Sequence, residues 1–220
     1  MSLHYLREIE RLNKYLMNLA DIVEKQVSQS ILALSELDEL SAQHVIDTDI
    51  EVDKAEIEME ENCLKLLALH QPVANDLRLI ISVLKINNDL ERIGDHAVLI
   101  AEEAIKLTRL PAIKVPEEIF TLSTQAKLML RKSLLAFIED DIHVARDVLH
   151  RGKDIHHLAE KIFHGQLDNI KHSPKHAEQR LYMLKVSRQL QRIADHATNI
   201  AEDSIFLMSG DIIRHNSTTY

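Results

Sequence analysis

Apolar residues recur at three- and four-residue steps along nearly the whole chain. Leu6, Ile9, Leu12, Leu16, Leu19, Ile22, Val23, Val27, Ile31 and Leu34 form the first such stripe, the mark of an amphipathic helix with one buried face. The pattern predicts a first helix from Tyr5 to about Leu34, a turn through Ser35–Ser41, and a second helix from near Ala42 to Leu69. The residue before a proline avoids the helical region, so Gln71-Pro72 closes that helix. Pro72 then suits the first turn of a third helix, from about Val73 to Leu107. Thr108 to Pro116 carries prolines at 111 and 116 and reads as a linker. Three more helices follow: Glu117 to Ile138, Ile142 to Ile170 after the turn Glu139-Asp140-Asp141, and Lys175 to Phe206 after the break at Ser173-Pro174. The tail from Gly210 is polar at its end and is expected to fray. Its Asn216-Ser217-Thr218 matches a glycosylation sequon by chance.

The pattern is duplicated. Lys85–Ile105 (KINNDLERIGDHAVLIAEEAI) aligns without gaps to Lys185–Ile205 (KVSRQLQRIADHATNIAEDSI), 100 positions on. Earlier in the repeat the offset is 103: Ala33-Leu34 pairs with Ala136-Phe137 and Ala42 with Ala145. The difference of three belongs in the connection before the last helix. A self-similar period of this length implies one helical unit copied within the chain. Long helices joined by short connections pack as near-antiparallel neighbours. The expected fold is all-α: two tandem pseudosymmetric three-helix bundles, six long helices in all. The first unit is placed at residues 1–107, the linker at 108–116, the second unit at 117–209 and the tail at 210–220.

Composition supports this reading. Gly and Pro number 4 each in 220 residues and Trp is absent, too few turn-formers for a sheet protein of this size. A formal net charge of -9 argues against nucleic acid as a partner. The lone Cys63 has no internal partner, which suits a reducing cytoplasm. No stretch is apolar enough to predict a membrane span.

The acidic residues are the candidate chemistry. Glu91 and Asp95 are four apart, and Asp95 and Glu102 are seven apart, so the three lie along one stripe of the third helix. Asp49, Asp53, Glu56 and Glu60 step by three and four along the second helix. Oxygen donors on facing helices suit hard cations. The rivals are a solvated acidic face held by Arg92 and Arg192, or a protein-binding surface. His96 points about 100° away from Asp95, so the two do not obviously share an ion. In the second copy Gln191 stands in place of Glu91, leaving Asp195 and Glu202. Gly94, matched by Ala194, marks a position where a small residue admits a close neighbour. His143, His150, His157 and His164 repeat every seven residues and read as polar surface. The chain has no phosphate-binding glycine loop, no zinc cysteine set and no HExxH, and it offers no nucleophile–base pair.

DLERIGDHA at Asp89–Ala97, its duplicate LQRIADHATNIAED at Leu190–Asp203, and HQPVANDLR at His70–Arg78 closely resemble the PhoU family of phosphate-uptake regulators. The resemblance implies a fold of two three-helix bundles, no catalysis, and a homodimer. It implies a negative regulator of the phosphate regulon, linking a phosphate-specific ABC transporter to a membrane sensor histidine kinase. The chain would then be peripheral to the membrane through protein partners. In some members the family's acidic motifs hold multinuclear metal clusters. They fall here on Glu91 and Asp95, on Asp49 and Asp53, and on Asp195, with Gln191 and His156 departing from the pattern. The metal set is therefore Glu91, Asp95, Glu102, Asp49, Asp53, Asp195 and Glu202, for iron, zinc, manganese, magnesium or calcium. The alternatives are a carboxylate-bridged metalloenzyme, an oxidase or phosphatase, and a metal-storage or structural bundle.

Overall fold

The computed structural model describes residues 3–210, with side chains from Tyr5 onward. The tail from residue 211, with its sequon, lies outside the described residues. Six long helices follow in order: α1 (Leu3–Glu36), α2 (Glu39–His70), α3 (Asn75–Thr108), α4 (Glu117–Ile138), α5 (Ile142–His172) and α6 (Ala177–Ser209). A short 3₁₀ turn, Pro174–His176, precedes α6. Among the described residues there is no strand, and no helix is long and apolar enough to cross a membrane.

The first turns of the two units are built alike. Leu37 (φ 51°) and Asp140 (φ 53°) each take the left-handed conformation. The next residue caps the helix that follows. Asp38 accepts from the amides of Leu40 and Ser41, and Asp141 accepts from those of His143 and Val144. Each cap is worth about 1 kcal/mol. The second connections differ. Gln71 and Ala74 both adopt positive φ between α2 and α3, whereas the 3₁₀ turn bridges α5 and α6. The three-residue offset is absorbed there. Pro72 therefore sits in this loop rather than in the first turn of α3, which begins only at Asn75.

The apolar stripes converge within each unit. Val45, Val52 and Met59 of α2 are buried, as are their 103-offset partners Val148, Ile155 and Ile162 of α5. Leu90, Ile93 and Ile100 of α3 are buried like Leu190, Ile193 and Ile200 of α6. Within each bundle every helix packs on the other two, and the bundles join through α3 on α6, with α1 also touching α4. This leaves α2 and α5 at the outer edges.

The α3–α6 seam repeats its polar contacts about a pseudo-two-fold axis. Lys85 Nζ lies 3.1 Å from Asp203, and Lys185 Nζ lies 3.4 Å from Glu103. The His96 and His196 rings meet at the centre, 5.4 Å apart. The symmetry breaks where Asp89 accepts from His196 Nδ1 at 2.7 Å and from Asn199 at 3.1 Å, while the position matching Asp89 is Gln189. Burial holds the His96 imidazole below its ordinary value, and the neighbouring His196 adds to the effect.

Candidate functional site

α2 and α3 bring Asp49, Asp53, Glu56, Glu91 and Asp95 to one face of the first unit. The approach is close because α3 has no side chain at Gly94. A Cβ there would lie 3.2 Å from Gln26 Oε1, 3.3 Å from Val52 Cγ1 and 3.4 Å from Asp49 Oδ1. Gln26, reaching across from α1, donates to Asp49 Oδ1 at 3.2 Å. It is 3% exposed, and its Oε1 is buried without a hydrogen-bond partner. The one mark of Gln26 in the sequence is an amide set between Val23 and Val27 of an apolar stripe.

The carboxylates repel one another. Burial pushes Asp49 above the usual carboxylate range, and Asp53 and Asp95 push it further, against the pull of Gln26. Burial and Asp95 likewise raise Glu91, with Glu56 and Asp53 adding and Arg92 opposing. Glu56 is raised by burial, Glu60 and Asp53. The nearest cation is Arg92, 3.5 Å from Glu91 and 3.6 Å from Asp95. It lies on the solvent side, and exposed pairs of this kind contribute little. The face is open: Glu91 and Asp95 keep 26% and 43% of their side-chain surface.

The fit of this face to a hard cation is chemical. It offers carboxylate oxygens in excess of its cations, plus the orphaned amide oxygen of Gln26. Among the described residues, no three or more His, Cys, Asp or Glu side chains converge on one point as they stand. Asp49, Asp53, Glu91 and Asp95 are the residues placed to hold a cation. Glu102 is seven residues beyond Asp95, about 10 Å along the helix, and is not among the charges that raise Asp49, Glu56 or Glu91.

The second unit uses the same frame for different chemistry. The positions matching Asp49, Asp53, Glu56 and Glu91 are Gly152, His156, Ala159 and Gln191. Gln191 Nε2 lies 2.6 Å from His156 Nδ1, and His156 Nε2 lies 3.5 Å from Asp195 Oδ1. The amide donates to Nδ1, so the ring proton sits on Nε2 and faces the carboxylate. Arg192 reaches Asp195 from the other side at 3.5 Å. Burial raises Asp195, while His156 and Arg192 pull it back. Glu202 is elsewhere, lining a groove of about 620 Å³ with Lys85, Asn88, Asp89 and Asn199.

The other singled-out residues serve structure or surface. His143, His150, His157 and His164 are all exposed, as their spacing suggested. Cys63 is buried and its thiol is pushed up to about 12, so it stays protonated and inert.

The chain matches the PhoU domain over residues 16–104 and again over 119–204. It is 34% identical over 204 residues to a phosphate-specific transport system accessory protein PhoU homolog of Clostridium acetobutylicum, covering 92% of this chain and 93% of that one. A homolog of the same description from Pseudomonas aeruginosa is 33% identical, covering 100% and 91%. The crystal structure of PhoU from Pseudomonas aeruginosa superposes with a TM-score of 0.90 at 33% identity, over 94% of this chain and 100% of that one. The phosphate transport system regulatory protein PhoU from Streptococcus pneumoniae gives a TM-score of 0.86 at 26% identity, over 94% and 98%. With both repeats matched and the fold shared over 94% of its length, the chain belongs to the PhoU family.

Proposed function

We propose that this protein is a cytoplasmic adaptor that represses the phosphate regulon when phosphate is abundant. Family membership carries a non-enzymatic role in phosphate regulation. The finer reading is that the chain couples a phosphate-specific ABC transporter to a sensor histidine kinase, reaching the membrane only through these partners. Residues 1–107 and 117–209 are its two working units, and 108–116 is their linker. The acidic face of the first unit binds a hard cation and presents it to a partner.

One observation carries this reading. The carboxylates of Glu91 and Asp95 are half-exposed on an open helical face, not walled into a pocket that would exclude water from a reaction. An ion held there remains accessible to a protein surface.

The test is a deletion in the source cell, with alkaline phosphatase measured in high phosphate. Phosphatase should stay high despite abundant phosphate, and the intact gene should restore repression. Repression that persists in the deletion, with transporter and kinase intact, would sink the assignment.

A further inference from the structure

At two core positions the first unit is apolar and the second is polar. Cys63 and Ile80 are fully buried in the first unit. Their matches, at the 103 and 100 offsets, are Gln166 and Arg180. Gln166 is only 4% exposed, and its Oε1 accepts from Arg180 Nη1 at 3.1 Å. Arg180 is partly buried and makes no ion pair among the described residues. A carbonyl oxygen holds a guanidinium in place without neutralising it. Drawing that charge out of water with no counter-charge costs free energy. The Gln166 Nε2 also has no hydrogen-bond partner among the described residues. Two uncommitted donor groups therefore sit together where the first unit has apolar side chains.

Both side chains line an open groove of about 640 Å³ between the 108–116 connection, the start of α4, α5 and α6. The other charges of the groove cancel. Lys114 lies 2.8 Å from Glu117, and Lys161 lies 3.7 Å from Glu118. Arg180 is the one cation lining the groove without a carboxylate. The first turn of α4 forms one wall, and Pro116 gives that helix no side-chain cap. The amides of Glu117 and Glu118 are thus further donors without an intrahelical acceptor. Val115 and Ile162 add apolar surface.

We propose that this groove binds a phosphoryl group, free or on a small organic metabolite, with Arg180 as its counter-charge. A guanidinium fork suits two-point recognition of an oxyanion. Donors from Arg180, from the Gln166 amide and from the first turn of α4 suit three acceptor oxygens better than the two of a carboxylate. The groove has room and apolar surface for an organic body beside the phosphoryl group. The Glu117 and Glu118 carboxylates oppose an anion unless Lys114 and Lys161 hold them, so binding should weaken as salt screens those pairs. The site shares no residue with the acidic face of the first unit and does not rest on the regulatory reading.

The test is two-dimensional amide NMR of the full chain, titrated separately with inorganic phosphate, glycerol phosphate and acetate. The Gln166 side-chain amide and the backbone amides of Glu117 and Glu118 should shift to saturation with phosphoryl ligand, and acetate should bind about tenfold more weakly or worse. Saturation by glycerol phosphate alone would assign an organic phosphate, and comparable saturation by inorganic phosphate would assign the free anion. Gln166→Cys combined with Arg180→Ile installs the first unit's own core residues and should weaken binding by about tenfold or more. Circular dichroism checks that this variant folds, and the wild-type shifts decide the matter if it does not. No saturable shift with either phosphate, acetate binding as tightly, or shifts confined to other residues would overturn the proposal. So would a folded double variant that binds within about twofold of wild type.

Discussion

The α2–α3 face of the first unit and the α5–α6 face of the second are built on one frame and do different chemistry. Their buried positions agree nearly residue for residue, from Val45 with Val148 to Leu90 with Leu190. Their capped first turns agree as well. On the outer surface the likeness ends. One face collects five carboxylates with a single exposed arginine beside them. The other ties its remaining Asp195 into a chain with His156, Gln191 and Arg192. Packing fixes the shared frame, because a buried residue answers to every neighbour it touches. The half-exposed positions answer only to charge and ligand, and there the copies were free to part. A cluster whose members push one another's pKa values upward is a cost to folding. Such a cost persists where a bound partner or ion offsets it.

The largest effects should be symmetric. Leu90→Ala and Leu190→Ala each remove a fully buried side chain and should each lose about 2–5 kcal/mol, measured by urea denaturation. A loss in one unit only would mean that the second bundle does not share the packing of the first.

Asymmetry should enter at the seam. Asp203 is 2% exposed and faces Lys85, whereas Glu103 is reached by both Lys106 and Lys185. Lys85→Met should cost about 1–3 kcal/mol, since it removes one of the partners of a buried carboxylate. Lys185→Met should cost under about 1 kcal/mol, because Lys106 remains. Equal losses would show that Lys106 does not substitute.

The smallest effects should have opposite signs. Glu91 is held above its ordinary carboxylate value of 4.5 by burial and Asp95. A raised carboxylate favours the folded state while it is protonated, and that advantage is lost as pH rises through the folded-state value. Glu91→Gln should therefore stabilise the protein at pH 7 by a few tenths to about 1 kcal/mol and give no gain near pH 4. Gln191→Glu removes the donor to His156 and should instead cost about 0.5–1.5 kcal/mol at pH 7. Denaturation at the two pH values checks both signs.

The helices and their duplication could be read directly from the sequence, because periodicity reports burial and this fold is almost all helix. The bounds of α4 were recovered residue for residue, and the turns at Asp38 and Asp141 lay where the 103 offset put them. Pro72 falls in the loop rather than in α3 because the positive-φ residues Gln71 and Ala74, which delay the start of the helix to Asn75, leave no local signature in those residue types. At the site, spacing brought out Asp49, Asp53, Glu91 and Asp95, which share a face through a single helix pair. It also singled out Glu102, which stands on the same stripe two turns of rise beyond Asp95. Gln26 escaped notice because its role depends on α1 crossing at Gly94, a contact between distant segments. The seam formed by Asp89, His96 and His196 was hidden for the same reason: the rings meet only when the two copies pack on each other.

The difference between the two faces can be measured with manganese(II) titrated into the full chain and its Asp95→Ala and Asp195→Ala variants, reading free ion by electron paramagnetic resonance. The account predicts that Asp95→Ala weakens the tightest site by about tenfold or more, while Asp195→Ala leaves it within about twofold of wild type. Equal weakening by both substitutions, or no binding that depends on Asp95, would contradict it.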